Sequence, residues 1–510
     1  RNSVARWAKT PYNGLRSVGD RPIARTGGHM EFQWSFFIDM GIVSIALLLA
    51  TLIRSRVKFF QRFLIPNALT AGFLLLPFYN FVGPMIGLSS NGLGEIVYHL
   101  LSISFVSMTL RRPVHAPGKS DRGVIATTVA VLFQYGTQGF IGMILTFLLM
   151  RTIIPTLFPS FGLLVPLGFA LGPGQAYAIG GAWEAFGFEG AGTVGLTFAA
   201  LGFLLACFIG VFLINYGLRH GWASTTTQAA MENEPEIREA QLSGIVERGE
   251  EGSVGARQTT YSDAIDSMSV NLGITLAIYF LSYLLLRGLS ELLQLAGEAG
   301  TDLAANLWGI NFVFAMLMAV VVKRILYAAK WEHVLDPGSL TRISGASVDI
   351  MVAAAVGAIS LAVVARYWLA IAIVGGIAGA FVTLSVPWMT SRLFKSYRFQ
   401  RTVIIYGAMT GTLPTGLALL RVLDPDFKTP VAGDYVYSAA FVFLLMIPMI
   451  LAMNLPAYSV TQNNPALFWI AAAIRAGYVI VSLILYAVIA RRRAFRSPGR
   501  LWFSPRKPGE

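Results

Sequence analysis

Apolar runs of about 18 residues or more recur from one end of this chain to the other, and each is long enough to cross a bilayer as a helix. In hydrocarbon every backbone N–H and C=O must be paired within the chain, which leaves helices and closed barrels as the only spanning structures. Of the 510 residues 55% are hydrophobic and only 13% charged, against about 25% charged in soluble domains. The chain therefore reads as an all-α polytopic membrane protein. A soluble enzyme, a nucleic-acid binder and a disordered scaffold are excluded.

The net charge of +13 sits in short basic clusters between the apolar runs, a pattern of cytoplasmic loops beside anionic lipid rather than of a nucleic-acid surface. The single cysteine, Cys207, lies in an apolar run, so no intrachain disulfide is expected. Residues 1–29 lack the apolar core of a signal peptide, and Gly28-His29-Met30 reads as a tag remnant before a natural start at Met30. The histidines His99, His115, His220 and His333 show no ligand spacing, and Gly118-Lys119-Ser120 lacks the first glycine of a phosphate loop, Pro113 standing there. No cofactor is expected, and energy must come from an ion gradient.

Spans are expected near 34–54, 62–83, 95–110, 122–150, 190–218, 264–293, 303–326, 343–365, 367–390, 434–456 and 467–490. Two further stretches, about 161–185 and 403–421, are apolar but crowded with Gly, Pro and small polar residues. The polar segment 219–262 divides the chain and reads as a cytoplasmic linker. Arg54, Arg56, Lys58 and Arg62 place the first loop inside, and Arg111, Arg112, Lys119 and Arg122 follow there by alternation. The clusters Lys323, Arg324, Lys330, Arg342 and Arg392, Lys395, Arg398, Arg401, with Arg491 to Arg493, also fall inside if both Gly-rich stretches are re-entrant hairpins, one opening to each face. The expected organisation is then two inverted-topology repeats, 30–218 and 263–456, each of five transmembrane helices and one hairpin. An extra C-terminal helix and basic tail occupy 457–510. Paired broken helices in inverted halves point to the binding site of a secondary transporter.

The first hairpin reads Leu167-Gly168-Phe169-Ala170-Leu171-Gly172-Pro173-Gly174-Gln175-Ala176 and runs on to Gly180-Gly181-Ala182-Trp183. The second reads Tyr406-Gly407-Ala408-Met409-Thr410-Gly411-Thr412-Leu413-Pro414-Thr415-Gly416. Both hold a Gly-x-x-x-Gly step followed by proline. Taken alone the step packs helices; with proline it breaks one, because proline removes a donor and glycine tolerates the open backbone. Half-helix N-termini then offer N–H groups to an anion, and unwound carbonyls can hold a cation.

These segments, with Phe63-Leu64-Ile65-Pro66-Asn67-Ala68-Leu69-Thr70-Ala71-Gly72 and Leu413-Pro414-Thr415-Gly416, resemble the sodium:glutamate symporter family over about residues 34–456. The resemblance implies ten spans with two re-entrant loops, a homodimer, an elevator motion and uptake of L-glutamate with sodium. The chain departs from the family pattern in lacking a histidine in both loops, where Pro173-Gly174-Gln175 and Tyr406 stand, and in its last span.

The expected substrate contacts are Gly172, Pro173, Gly174, Gln175, Thr410, Gly411, Thr412, Pro414 and Thr415 at the hairpin tips, with Arg421 as a fork for a carboxylate. Asp349, a lone carboxylate within a span, and the amides Asn271 and Asn311 are the candidates for coupling to the ion. Each has a bland counterpart: an arginine reaching the headgroups, a carboxylate paired with Arg342, amides bonding neighbouring helices. No nucleophile stands with a base, so no enzyme is expected. The expected function is sodium-coupled symport of glutamate or a related anionic amino acid in a bacterial plasma membrane. The alternatives are another carboxylate or a neutral solute, proton coupling, or a passive channel.

Overall fold

The computed structural model describes residues 34–111, 121–223, 258–259, 264–295, 297, 304, 307–424 and 429–504. The leader 1–29, the basic residues Arg112 and Lys119 and most of the linker 219–262 lie outside the described residues. Among the described residues there are helices and no strand. Twelve helices are long and apolar enough to cross a membrane.

In chain order the principal helices are α1 (Ser35–Arg56), α2 (Asn67–Ile86), α3 (Asn91–Leu110), α4 (Arg122–Thr152), α5 (Phe161–Leu171), α6 (Pro173–Glu184) and α7 (Ala191–Arg219). They continue with α8 (Ser267–Gln294), α9 (Asn311–Ala328), α10 (Pro337–Gly357), α11 (Leu361–Leu393), α12 (Arg398–Arg421), α13 (Val431–Thr461) and α14 (Ala466–Ala490). Eleven of the twelve long helices fall on the eleven expected spans. The twelfth is α12, which covers the second Gly-rich stretch.

Several boundaries differ from the hydropathy reading, most clearly around α10 and α11. The stretches 343–365 and 367–390 are cut instead at residues 358–360, between α10 and α11. Capping decides this. The buried Asp336 carboxylate accepts the Ser339 N–H and hydroxyl, each at 2.7 Å, and Pro337 supplies the fixed φ of a first helical residue. Ser360 accepts the Val363 N–H at 3.5 Å and starts α11. Arg366, which looks like a break in the apolar run, stays inside α11 and reaches Glu189 at 2.5 Å.

Helices in a bilayer gain little from burying apolar surface, so close packing must hold them, and small residues permit it. A Cβ on Gly72 would lie 2.5 Å from the Val356 Cβ, and one on Gly357 2.8 Å from the Leu75 Cβ, so α2 and α10 meet almost backbone to backbone. The long helices α4 and α11 cross with Gln134 and Ser385 exchanging hydrogen bonds at 3.0 and 3.2 Å. The last helix lies on α4, where Gly136 takes Tyr478 and Val479.

Helix α7, about 42 Å long at 1.5 Å per residue, serves as a ruler for both Gly-rich stretches. Near its start a Cβ on Gly180 would meet the Ala191 carbonyl at 2.6 Å, and one turn on Gly195 meets Ala176. Gly168 lies against Ala199, and Gly202 against both Phe169 and the Thr410 carbonyl. Gly411 meets Ala206, Gly210 meets Leu419, and Gly217 meets the ring of Phe399 near the far end. Both stretches therefore reach the middle of α7, each from a different end.

Each stretch doubles back. The rings of Phe158 and Phe188, which flank α5 and α6, stack at 5.0 Å. Within α12 the backbone leaves the helix at Gly411 and Thr412, and a Cβ on Gly407 would lie 2.7 Å from the Gly416 Cα. Nine residues of unbroken helix would hold those two about 13 Å apart. Phe399 and Val403 of the entering arm share one apolar cluster with Leu419 of the returning arm and Leu423 just past it.

Basic residues read from the sequence as a loop cluster have specific partners at the base of α12. Arg401 pairs with Asp434 of α13 at 2.5 Å with both side chains buried. Arg392 is buried and donates to the carbonyls of Trp388, Ser497 and Arg500, and Arg398 donates to those of Ser391 and Phe503. Trp502 stacks on Trp222 at 4.4 Å, so the C-terminal tail closes over this base.

Gly416→Val forces side-chain atoms into the Ile404 carbonyl, 2.5 Å from the position of the new Cβ. The expected outcome is loss of the monodisperse folded protein in size-exclusion chromatography. Gly273→Ala, which meets nothing within 4 Å, leaves the profile unchanged.

Candidate functional site

The two breaks meet. Gly172, between α5 and α6, has φ 106° and ψ 175°; Thr412, within α12, has φ 72° and ψ 165°. A Cβ on Gly172 would lie 2.7 Å from the Thr412 Cγ2. Positive φ suits glycine, but for a β-branched threonine it is a strained conformation that only its surroundings can hold. Such strain is concentrated at ligand clamps and switch regions.

The backbone explains what each tip can offer. On the entering side, the Gly172 N–H bonds back to the Leu167 carbonyl at 2.7 Å in a wide turn. Other carbonyls are taken by side chains of α4: the Tyr135 hydroxyl donates to Ala170 at 3.3 Å, and the Gln138 amide to Met409 at 3.1 Å. Residues three apart share a helix face, so one face of α4 holds both tips. On the leaving side a new helix begins, with Pro173 at its first residue and Pro414 at the second residue after the other break. The N–H groups at those N-termini have no acceptor within their own helix, and the helix dipole places partial positive charge there.

Most of the expected tip residues come together. Gly172, Pro173, Gly174, Gln175, Thr410, Gly411 and Thr415 are buried, Thr412 is half-buried and Pro414 is exposed. Gly174 lies against Leu101 of α3 and Met351 of α10, so the first tip touches the helices around it as well as the second tip. The Thr410 hydroxyl donates to the Tyr406 carbonyl within its own arm at 2.8 Å. The two glycines of each Gly-x-x-x-Gly step divide the work: Gly168 and Gly407 pack helices, while Gly172 and Gly411 lie in the breaks.

Other candidates lie elsewhere. Arg421 is exposed at the end of the returning arm, about 10 Å along the axis from Pro414. Asp349 is exposed on α10 and belongs to none of the three ion pairs among the described residues. Asn271 is fully buried and tied into the start of α10: its amide donates to the carbonyls of Ser267 at 2.8 Å and Val334 at 3.4 Å, and its oxygen accepts the Asp336 N–H at 3.1 Å. Asn311 donates to the Tyr279 hydroxyl at 3.4 Å, which also meets His99 Nδ1 at 2.7 Å, and its own Oδ1 is buried without a partner.

Sequence reasoning missed Tyr135 and Gln138, because neither stands out in a long apolar helix until the tips are seen beside it. It also missed Arg475, the tenth residue of α14, where a lone cation in an apolar run is a signal in its own right. No family model, curated protein or solved structure compared with this chain matches it.

Gly172→Ala places a methyl against Thr412 and enforces a positive φ, and is expected to lower the thermal unfolding midpoint by several degrees. Thr412→Ser removes the Cγ2 obstacle. In that background the same glycine change costs less, and a residual loss of about 1–2 kcal/mol reflects φ alone. Equal losses in both backgrounds contradict the contact between the tips.

Proposed function

We propose that this chain is a secondary active transporter whose two doubled-back segments are re-entrant hairpins, entering the bilayer from opposite faces and closing on a solute where their tips meet. The observation that carries the reading is the contact between Gly172 and Thr412, midway along α7, with both breaks in the same unusual conformation. Broken backbone at membrane depth persists only where protein or a water-filled cavity satisfies it. Two helix N-termini converging there favour an anion by about 1 kcal/mol each, and the carbonyl ends of the entering arms suit a cation.

The halves support an inverted repeat. The fourth helix of each is the longest before the break, 31 residues in the first half and 33 in the second. Each is followed by a doubled-back segment and then one more long helix, α7 or α13. On this reading 30–218 and 263–456 are the repeats and α14 is an addition that braces α4. The tips would move against α3 and α10 in an elevator motion, within a homodimer, in a bacterial plasma membrane.

The substrate class is an anionic amino acid such as L-glutamate, coupled to sodium. Of the ion candidates, Asn311 keeps an unpartnered oxygen and Asp349 an exposed carboxylate, whereas the hydrogen bonds of Asn271 are already committed to the protein. Reconstituted into liposomes, the protein is expected to accumulate labelled glutamate under an inward sodium gradient and to stop when that gradient is collapsed. Gly411→Tyr fills the junction of the tips and lowers uptake at least tenfold, with membrane insertion intact. Uptake by this variant at the wild-type rate, or none by the wild type under any cation gradient, contradicts the proposal.

A further inference from the structure

Arg475 is a full cation in the middle of α14, about 13 Å along the axis from the start of the helix, yet only 1% exposed. An arginine ordinarily escapes hydrocarbon by reaching the headgroups with its long stem. Burial at this depth closes that route. None of the three ion pairs among the described residues includes it. Its Nη1 donates to the Ala471 carbonyl of its own helix at 3.0 Å, and its Nη2 is buried with no acceptor. A buried charge that lacks a partner is strongly destabilising, so a fold that encloses one implies a counter-charge that the described residues do not supply.

The surroundings are polar and built for close approach. Arg475 lies in a notch left by Gly139 of α4, where a Cβ would sit 2.9 Å from its Nε. Gln138 precedes that glycine and keeps a buried Oε1 without a partner. Gly142, one turn on, meets Gly162 at the start of α5, and two residues before that glycine the Ser160 hydroxyl is buried without a partner. At 100° per residue Gln138, Gly139 and Gly142 fall within an arc of about 100° and about 6 Å of axis. Arg475 is therefore at the depth of the Met409 carbonyl held by Gln138, beside the entering arm of the first hairpin.

We propose that Arg475 is the centre of an intramembrane binding site for a small monovalent anion, a halide or a carboxylate, enclosed by α4, α14 and the start of α5. The guanidinium supplies the charge and its free Nη2 the hydrogen bond, with Ser160 as a further donor. Binding of this anion stands whether or not the hairpin tips carry a solute.

The test is thermal unfolding of the purified full chain in detergent at constant ionic strength, titrating chloride, acetate or L-glutamate against HEPES as a bulky reference anion. A ligand held only by the folded state raises the midpoint in a saturable way. The expected result is a rise of about 2–5 °C with one of the small anions, lost in R475Q. In R475K the rise is retained, with half-saturation at about fivefold higher concentration. Response to chloride identifies a free halide, and response to the carboxylates alone identifies the solute's own charge. If R475Q does not fold, the displaced half-saturation of R475K decides. A wild-type midpoint indifferent to every small anion, or an R475Q or R475K titration identical to the wild type, overturns the site.

Discussion

Backbone groups that leave a helix inside a bilayer must find partners or water, and that requirement organises the centre of this protein. Two breaks, at Gly172 and at Gly411-Thr412, open the backbone at the same depth. Each is held by the other and by one face of α4, through Tyr135 to Ala170 and Gln138 to Met409. The breaks are thus held in place by specific hydrogen bonds. At the junction of the tips two helical arms begin, and a helix N-terminus carries the partial positive charge that an anion would meet.

The rest of the fold makes that junction reachable. Helix α7 runs the length of both doubled-back segments, and its glycines at 195, 202, 210 and 217 let their backbones and side chains approach it. Elsewhere the same small-residue logic seats α2 on α10 and α14 on α4. The C-terminal tail adds a polar lock: Arg392 and Arg398 take up its carbonyls at the base of α12. Helix α14 and the tail that follows it thereby brace both the helix that holds the tips and the base of α12.

Much of this was legible in the sequence, and the reasons are physical. Hydropathy located eleven long helices because length and apolarity are what a bilayer demands. The glycines followed by proline located both breaks within a residue or two, because proline removes a donor and glycine tolerates the open backbone. Boundaries were misplaced where a buried cap, Asp336, outweighed apolarity, and where Arg366 reached a partner without ending its helix. Arg421 was legible as a fork two turns past Pro414 or as an arginine at the boundary, and it lies exposed at the last residue of its arm. The roles of Gln138 and Arg475 come from neighbours more than a hundred residues away in sequence, at Met409 for Gln138 and at Gly139 for Arg475, and hydropathy alone does not reveal them. For Tyr135 the partner, Ala170, is nearer but lies across a turn that hydropathy does not reveal.

The doubling back of α12 is the claim on which the meeting of the tips rests, and a distance decides it. Nitroxide labels at K395C and R421C, both exposed positions, in a background where the buried Cys207 is replaced by serine, report that distance by double electron–electron resonance. A returning arm predicts a single population below about 25 Å. A distribution centred near 35–40 Å, the length of an unbroken helix over this stretch, would contradict it and dissolve the site.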